Sequence, residues 1–125
     1  MGKVYSRTKI FHFSDRLAAL ARGDMPAPIH VRLKPTNTCT HRCGYCCYRN
    51  DDLLLSECMD ERDEIPAEKM AEIVDDLSGM GVRAVTFTGG GEPLCYRHIA
   101  DAVMRVRDAG MRIEIGRASC RERVC

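Results

Sequence analysis

Three cysteines lie within eight residues of the sequence, and their spacing is the strongest chemical signal in the chain. Cys39, Cys43 and Cys46 follow a C-x3-C-x2-C pattern on what we call the cysteine loop, residues 39–46. A thiolate is a soft ligand, so three of them on one loop can hold one face of a metal centre. A structural zinc site takes four protein ligands, and a cubane iron–sulfur cluster usually takes one thiolate for each iron. Three thiolates therefore suit a cubane that leaves one iron open to a small molecule.

A run of glycines followed by an acidic residue is the second signal. Gly90-Gly91-Glu92-Pro93 belongs to a segment that we call the glycine turn, residues 89–93. Glycines have no Cβ atom, so Gly90 and Gly91 let the backbone approach a ligand closely. We expect Gly89, an extra glycine ahead of the motif, to serve the geometry of the turn.

The elements that must position these residues alternate between strands and helices. Residues 29–33, residues 84–88 and a run that starts at Met111 have the β-branched and apolar patterns of strands. Residues 66–80 and 99–109 carry apolar side chains at helical spacing. This order, with right-handed crossovers, predicts an α/β fold with a parallel sheet or the first part of a barrel. Each motif then follows the C-terminal end of a strand, which is the edge where α/β folds bind ligands.

Residues 1–28 are predicted to form an extension that leads into this fold. Ser14 or Asp15 can cap a short helix that Gly23 closes, and the two prolines that follow stop any helix.

The composition is that of a small soluble domain. The 125 residues are 45% hydrophobic and 30% charged, and 19 basic against 18 acidic residues leave a net charge of +1. No basic face indicates nucleic acid, and no apolar run approaches the roughly 20 residues of a membrane span. The N-terminus lacks the apolar region of a secretory signal, so we interpret the eight cysteines as thiols of a reducing cytoplasm.

Together the two motifs resemble those of the radical S-adenosylmethionine (radical SAM) enzymes. The cysteine loop has an aromatic residue, Tyr45, before its last cysteine, and Gly90-Gly91-Glu92-Pro93 resembles the Gly-Gly-Glu-Pro element of that family. The resemblance covers residues 29–113 and implies the first part of a partial (βα)6 TIM-like barrel. The motifs broadly resemble the group that contains molybdenum-cofactor cyclases and peptide-modifying enzymes with auxiliary clusters, and they do not choose a substrate.

The resemblance implies both the cofactors and the reaction. Cys39, Cys43 and Cys46 would ligate three irons of a [4Fe–4S] cluster, and the amino and carboxylate groups of S-adenosylmethionine would chelate the fourth. One-electron cleavage would then give methionine and a 5′-deoxyadenosyl radical that abstracts hydrogen from a substrate. The implied partners are that substrate and an electron donor such as flavodoxin or ferredoxin.

The resemblance also assigns residues to S-adenosylmethionine. Gly90, Gly91, Glu92 and Pro93 would bind its methionine moiety, with backbone carbonyls and the glutamate accepting charge-assisted hydrogen bonds from the ammonium. Tyr45 would contact the adenine.

Other assignments of the cysteines are open from the sequence. Cys47 could replace Cys46 as a ligand, although Cys46 fits the spacing and follows the aromatic residue. Cys47 or His41 could instead complete a four-ligand site, which would make the chain a non-catalytic zinc-binding module. That alternative leaves the glycine turn unexplained. We expect Cys95 to be a small packing residue.

Residues 114–125 are expected to form a non-native tail. The string from Glu114 to Cys125 matches the in-frame translation of a common sequencing adapter at twelve consecutive positions. We therefore expect that the natural gene continues past Ile113 and that the chain as given is inactive. Three parallel strands would also leave an open edge and an uncovered apolar face, which predicts poor solubility.

Overall fold

The computed structural model describes residues 8–44, 46–49 and 59–116. Its helices and strands follow in the order α1 (Ser14–Ala21), β1 (His30–Leu33), α2 (Ala67–Gly79), β2 (Ala84–Phe87), α3 (Ile99–Asp108) and β3 (Arg112–Ile115). Short 3-10 helices span Lys9–Phe13 and Pro93–Cys95. Tyr45 and residues 117–125, which include most of the expected tail, lie outside the described residues.

The three strands form one parallel sheet in the order β1-β2-β3. The predicted α/β class and the parallel arrangement are therefore confirmed. β3 begins one residue after Met111 and extends past the predicted break, because Glu114 pairs with Thr86 and Ile115 pairs with Phe87. Backbone groups make this pairing, so a side-chain pattern that ends at Ile113 does not end the strand.

One face of the sheet packs against α2 and α3. Val74 of α2, Val85 and Phe87 of β2, and Val106 of α3 are all 0% exposed. Burial of such side chains is the main favourable term in folding. The helices reach this face because Gly81 and Gly110, with φ of 78° and 74°, provide the left-handed turns that end them, as the sequence predicts.

The opposite face of the sheet is polar. His30 Nε2 lies 2.6 Å from Thr86 Oγ1, and that hydroxyl donates a hydrogen bond to Glu114 Oε2 at 2.9 Å. The prediction of an uncovered apolar face is therefore wrong. Side chains alternate along a strand, and the large apolar side chains Val31, Leu33, Val85, Phe87 and Ile113 pack in the core with the helices, whereas Ala84 lies on the polar face.

The N-terminal extension packs at the end of the sheet away from both motifs. Arg16 donates a hydrogen bond to Gly81 O at 3.2 Å, and Arg83 lies 3.5 Å from Asp15, just before β2. Ser14 is the first residue of α1, and no side chain caps that helix, so the predicted capping role of Ser14 or Asp15 is wrong. A 3-10 turn feeds directly into the helix and takes the place of a capping residue. None of the helices in the described ranges has the length and apolar character to cross a membrane.

Candidate functional site

A cavity of about 290 Å³ lies at the C-terminal edge of the sheet. Cys39, Cys43 and Cys46 line one part of it, and residues 89–93 line another. The structure therefore brings the cysteine loop and the glycine turn to a single site. Of the residues singled out for cofactor binding, Gly90, Gly91, Glu92 and Pro93 line this cavity.

Parallel pairing of β1 and β2 explains why the two motifs meet. Leu33 and Phe87 are register partners and end their strands side by side. The Thr88 N–H then donates to Leu33 O at 2.8 Å, which carries the pairing one residue beyond β2. The two loops consequently leave the same edge of the sheet as neighbours.

The cysteine loop folds into tight turns of its own. The Cys46 N–H donates to Cys43 O at 3.0 Å, and the His41 N–H donates to Cys39 Sγ at 3.4 Å. A backbone donor aimed at sulfur stabilises the negative charge that a ligating thiolate carries. All three cysteines of the motif are half-buried, whereas Cys47 is exposed and does not line the cavity.

The segment after the loop braces the chain that leads into it. Arg49 donates to Asn37 O at 3.0 Å and pairs with Glu61 at 2.5 Å. The Thr38 hydroxyl donates to Glu61 O at 3.0 Å, and Asn37 donates through its side chain to Asp60 O at 2.9 Å. These bonds fix the residues immediately before Cys39 without occupying the cavity.

The glycine turn lies against those same residues. The Gly91 N–H donates to Thr36 O at 2.8 Å, and the Glu92 N–H donates to Thr38 O at 3.0 Å. Gly89 has a φ of 73°, in agreement with its predicted role in turn geometry. The sequence predicts that the missing Cβ atoms of Gly90 and Gly91 let the backbone approach a ligand. In the structure, the missing Cβ atoms also let the glycine turn lie close to residues 36–38.

Glu92 is the buried acidic group of the site. Only 5% of its side chain is exposed, and its Oε2 lies 3.9 Å from Nδ1 of His41 on the cysteine loop. Its Oε1 accepts a hydrogen bond from the Leu94 N–H at 3.5 Å. A buried carboxylate held in this way at a cavity wall can accept hydrogen bonds from a cationic ligand.

Tyr96 anchors the chain behind the glycine turn. Its side chain is 1% exposed, and its hydroxyl donates to Ile65 O at 2.7 Å. Burial, with a smaller contribution from the charge of Glu64, raises the pKa of this phenol above its ordinary value. The hydroxyl therefore stays neutral and keeps its hydrogen bond at physiological pH.

The three cysteines of the motif share the wall of one cavity without forming a compact metal site. Within the part of the chain that the structure describes, no three His, Cys, Asp or Glu side chains are grouped closely enough to hold one metal ion. A four-ligand zinc site with Cys47 or His41 is therefore not assembled among these residues.

Several residues of the site were not predicted. Tyr48, Thr88 and Gly116 also line the cavity, and the Tyr48 hydroxyl accepts a hydrogen bond from Lys34 at 2.5 Å. The available signal was that Tyr48 is an aromatic residue two positions after Cys46, the last cysteine of the motif. The sulfur of Cys95 lies 4.0 Å from the hydroxyl oxygen of Thr40, and Cys95 does not line the cavity.

A family model and two curated relatives agree on the protein family of this chain. The family model of the radical SAM superfamily matches residues 33–121, a range that contains both motifs. GTP 3′,8-cyclase of Chlorobaculum tepidum is 32% identical over 74 residues, which are 59% of this chain and 20% of that protein. GTP 3′,8-cyclase 2 of Pseudomonas aeruginosa is 32% identical over 87 residues, which are 69% of this chain and 23% of that protein. The chain thus spans about a fifth of the length of these curated relatives. No solved structure gives a significant match.

Proposed function

This chain belongs to the radical SAM superfamily, and we propose that its cavity binds a [4Fe–4S] cluster and S-adenosylmethionine for radical chemistry on a substrate. The observation that carries the proposal is that three cysteines and the glycine turn line one cavity. When bound, these cofactors supply an electron and a 5′-deoxyadenosyl group that can take a hydrogen atom from a substrate.

The cysteine loop would hold the cluster through Cys39, Cys43 and Cys46. Three thiolates would leave one iron without a protein ligand, and that iron would be open to the amino and carboxylate groups of S-adenosylmethionine. The His41 N–H on Cys39 Sγ would orient one thiolate and lower its negative charge density. Cys47, exposed beside the loop, has no part in this arrangement.

The glycine turn would hold the methionine end of S-adenosylmethionine. Glu92 is the residue for the amino group, whose N–H bonds can donate to it, because its carboxylate is buried at the wall of the cavity. A charged hydrogen bond is stronger there than in water, since the surroundings are less polar. Tyr45 remains proposed for the adenine.

GTP is the substrate to test first. Both relatives are named for a reaction on GTP, and this chain matches about a fifth of their length. A reduced flavodoxin or ferredoxin in the cytoplasm is the proposed electron donor.

Cysteine variants test the ligand set. We expect Cys39→Ala, Cys43→Ala and Cys46→Ala each to lose most of the iron that the wild-type chain retains after anaerobic reconstitution. Cys47→Ala is the matched control and should retain wild-type iron, because it removes a neighbouring thiol outside the cavity. Iron and acid-labile sulfide per chain are measured after gel filtration. Equal iron loss in all four variants, or loss only in Cys47→Ala, would contradict this ligand set.

A further inference from the structure

We propose that Gly91 is a positioning residue for the cluster: its missing Cβ lets the glycine turn lie directly against residues 36–38, and this contact fixes Cys39 at the cavity wall. The inference rests on the proposed function, because it concerns how the same site is assembled. Gly91 would then allow close packing against the backbone of residues 36–38, and not only the approach of a ligand.

The first observation is steric. A Cβ added at Gly91 would lie 2.1 Å from Thr38 O and 2.6 Å from Asn37 C, whereas ordinary contacts begin near 3.4 Å. The two loops would have to separate by more than an ångström, since 3.4 Å exceeds 2.1 Å by 1.3 Å. Every one of these nearest atoms is backbone, so no side chain can rotate away to make room.

The second observation separates Gly91 from its neighbours. Gly89 and Gly90 have positive φ values of 73° and 38°, but Gly91 is not among the glycines with positive φ. An alanine at position 91 is therefore compatible with the backbone conformation, and only the close approach requires glycine. Gly90 differs also because its nearest contact, at 2.3 Å, is the side chain of Asn37.

The third observation is where the contact leads. The Gly91 N–H bond to Thr36 O and the Glu92 N–H bond to Thr38 O connect the two loops on either side of the steric contact. Thr38 is joined covalently to Cys39, and Glu92 carries the carboxylate proposed to bind the amino group. One displacement at Gly91 would therefore move the first thiolate relative to that carboxylate. A misplacement of about 1 Å can cost on the order of 100-fold in a reaction that depends on positioning.

Hydrogen exchange on the metal-free chain tests the contact without any cofactor. We expect the amides of Gly91 and Glu92 to be protected in the wild-type chain, and Gly91→Ala to raise their exchange on the order of tenfold or more. Alkylation of Cys39, followed by mass spectrometry, should accelerate in the same variant. Gly79→Ala is the matched control, because a Cβ there meets nothing within 4 Å, and it should leave both readouts at their wild-type values.

The cluster gives a second readout. After reconstitution, Gly91→Ala should retain less iron than Gly79→Ala, and the electron paramagnetic resonance signal of its remaining reduced cluster should be altered. The inference is overturned if Gly91→Ala keeps wild-type amide protection and iron and loses only affinity for S-adenosylmethionine, because the glycine would then serve the ligand.

Two further outcomes are decisive. If Gly91→Ala does not fold, the wild-type exchange still decides, because an unprotected Glu92 amide in the metal-free chain overturns the inference. If the wild-type chain binds no cluster while both amides are protected and Gly91→Ala exposes them, the proposed function fails and the loop contact stands.

Discussion

Replacing Glu92 with glutamine removes a charge from the proposed binding site of the S-adenosylmethionine amino group and changes little else. The Glu92→Gln side chain has nearly the same volume, and its Oε1 can still accept the hydrogen bond from Leu94. The carboxylate is 5% exposed, so solvent screens it weakly and its charge acts at close to full strength on a bound cation.

The expected loss follows from the strength of a charged hydrogen bond. Such bonds contribute about 1.5–3 kcal/mol, and each 1.4 kcal/mol is a factor of about ten in a dissociation constant. Glu92→Gln should therefore bind S-adenosylmethionine roughly 10- to 150-fold more weakly than the wild-type chain.

Equilibrium dialysis with two ligands measures this effect. S-adenosylmethionine carries the amino acid and a positive sulfonium, whereas 5′-methylthioadenosine keeps the adenosine and lacks both. Both are titrated into wild-type and Glu92→Gln chains that contain the same amount of iron per chain. The glutamine variant should lose affinity for the first ligand and keep its affinity for the second.

Two results would refute the reasoning. Equal affinity of both chains for S-adenosylmethionine would mean that the Glu92 charge does not act on its amino-acid end. An equal loss for both ligands would mean that the substitution disturbs the cavity as a whole.

The remaining predictions concern the stability of the fold and the role of Cys95. Tyr96→Phe should lower the free energy of unfolding in urea by about 1 kcal/mol, because Ile65 O loses its donor. The raised pKa of Tyr96 means that the unfolded chain releases this proton first, so wild-type stability should hold below pH 10.0 and fall as the pH rises above it, and this part of the fall should be absent in Tyr96→Phe. Phe87→Ala should cost about 3–5 kcal/mol in the same urea assay, whereas Phe11→Ala, at a side chain that is 70% exposed, should stay within about 0.5 kcal/mol of wild type. Cys95→Ala should retain wild-type iron, and a large loss would mean that this thiol belongs to the site.

Local sequence patterns were sufficient to predict the parallel sheet and the meeting of the two motifs at one edge of it. Alternation predicts β1, a continuous run of β-formers predicts β2, and parallel strands must end at a common edge. Because each motif directly follows a strand, their convergence at one cavity required no knowledge of side-chain contacts.

Contacts between residues that are far apart along the chain could not be predicted from the sequence. The approach of His41 to Glu92 depends on how two loops pack, and periodicity carries no information about that. The same holds for Thr38, whose carbonyl fills the space beside Gly91. Gly116 reaches the cavity only because β3 continues to Ile115, two residues past the point where its side-chain pattern ends.

The most direct test of the central claim is the electron paramagnetic resonance spectrum of the anaerobically reconstituted, reduced chain, recorded with and without S-adenosylmethionine. We predict about four irons and about four sulfides per chain, and a cluster signal that changes when S-adenosylmethionine is added, because one iron has no protein ligand. One tightly bound zinc per chain and no response to S-adenosylmethionine would contradict the account.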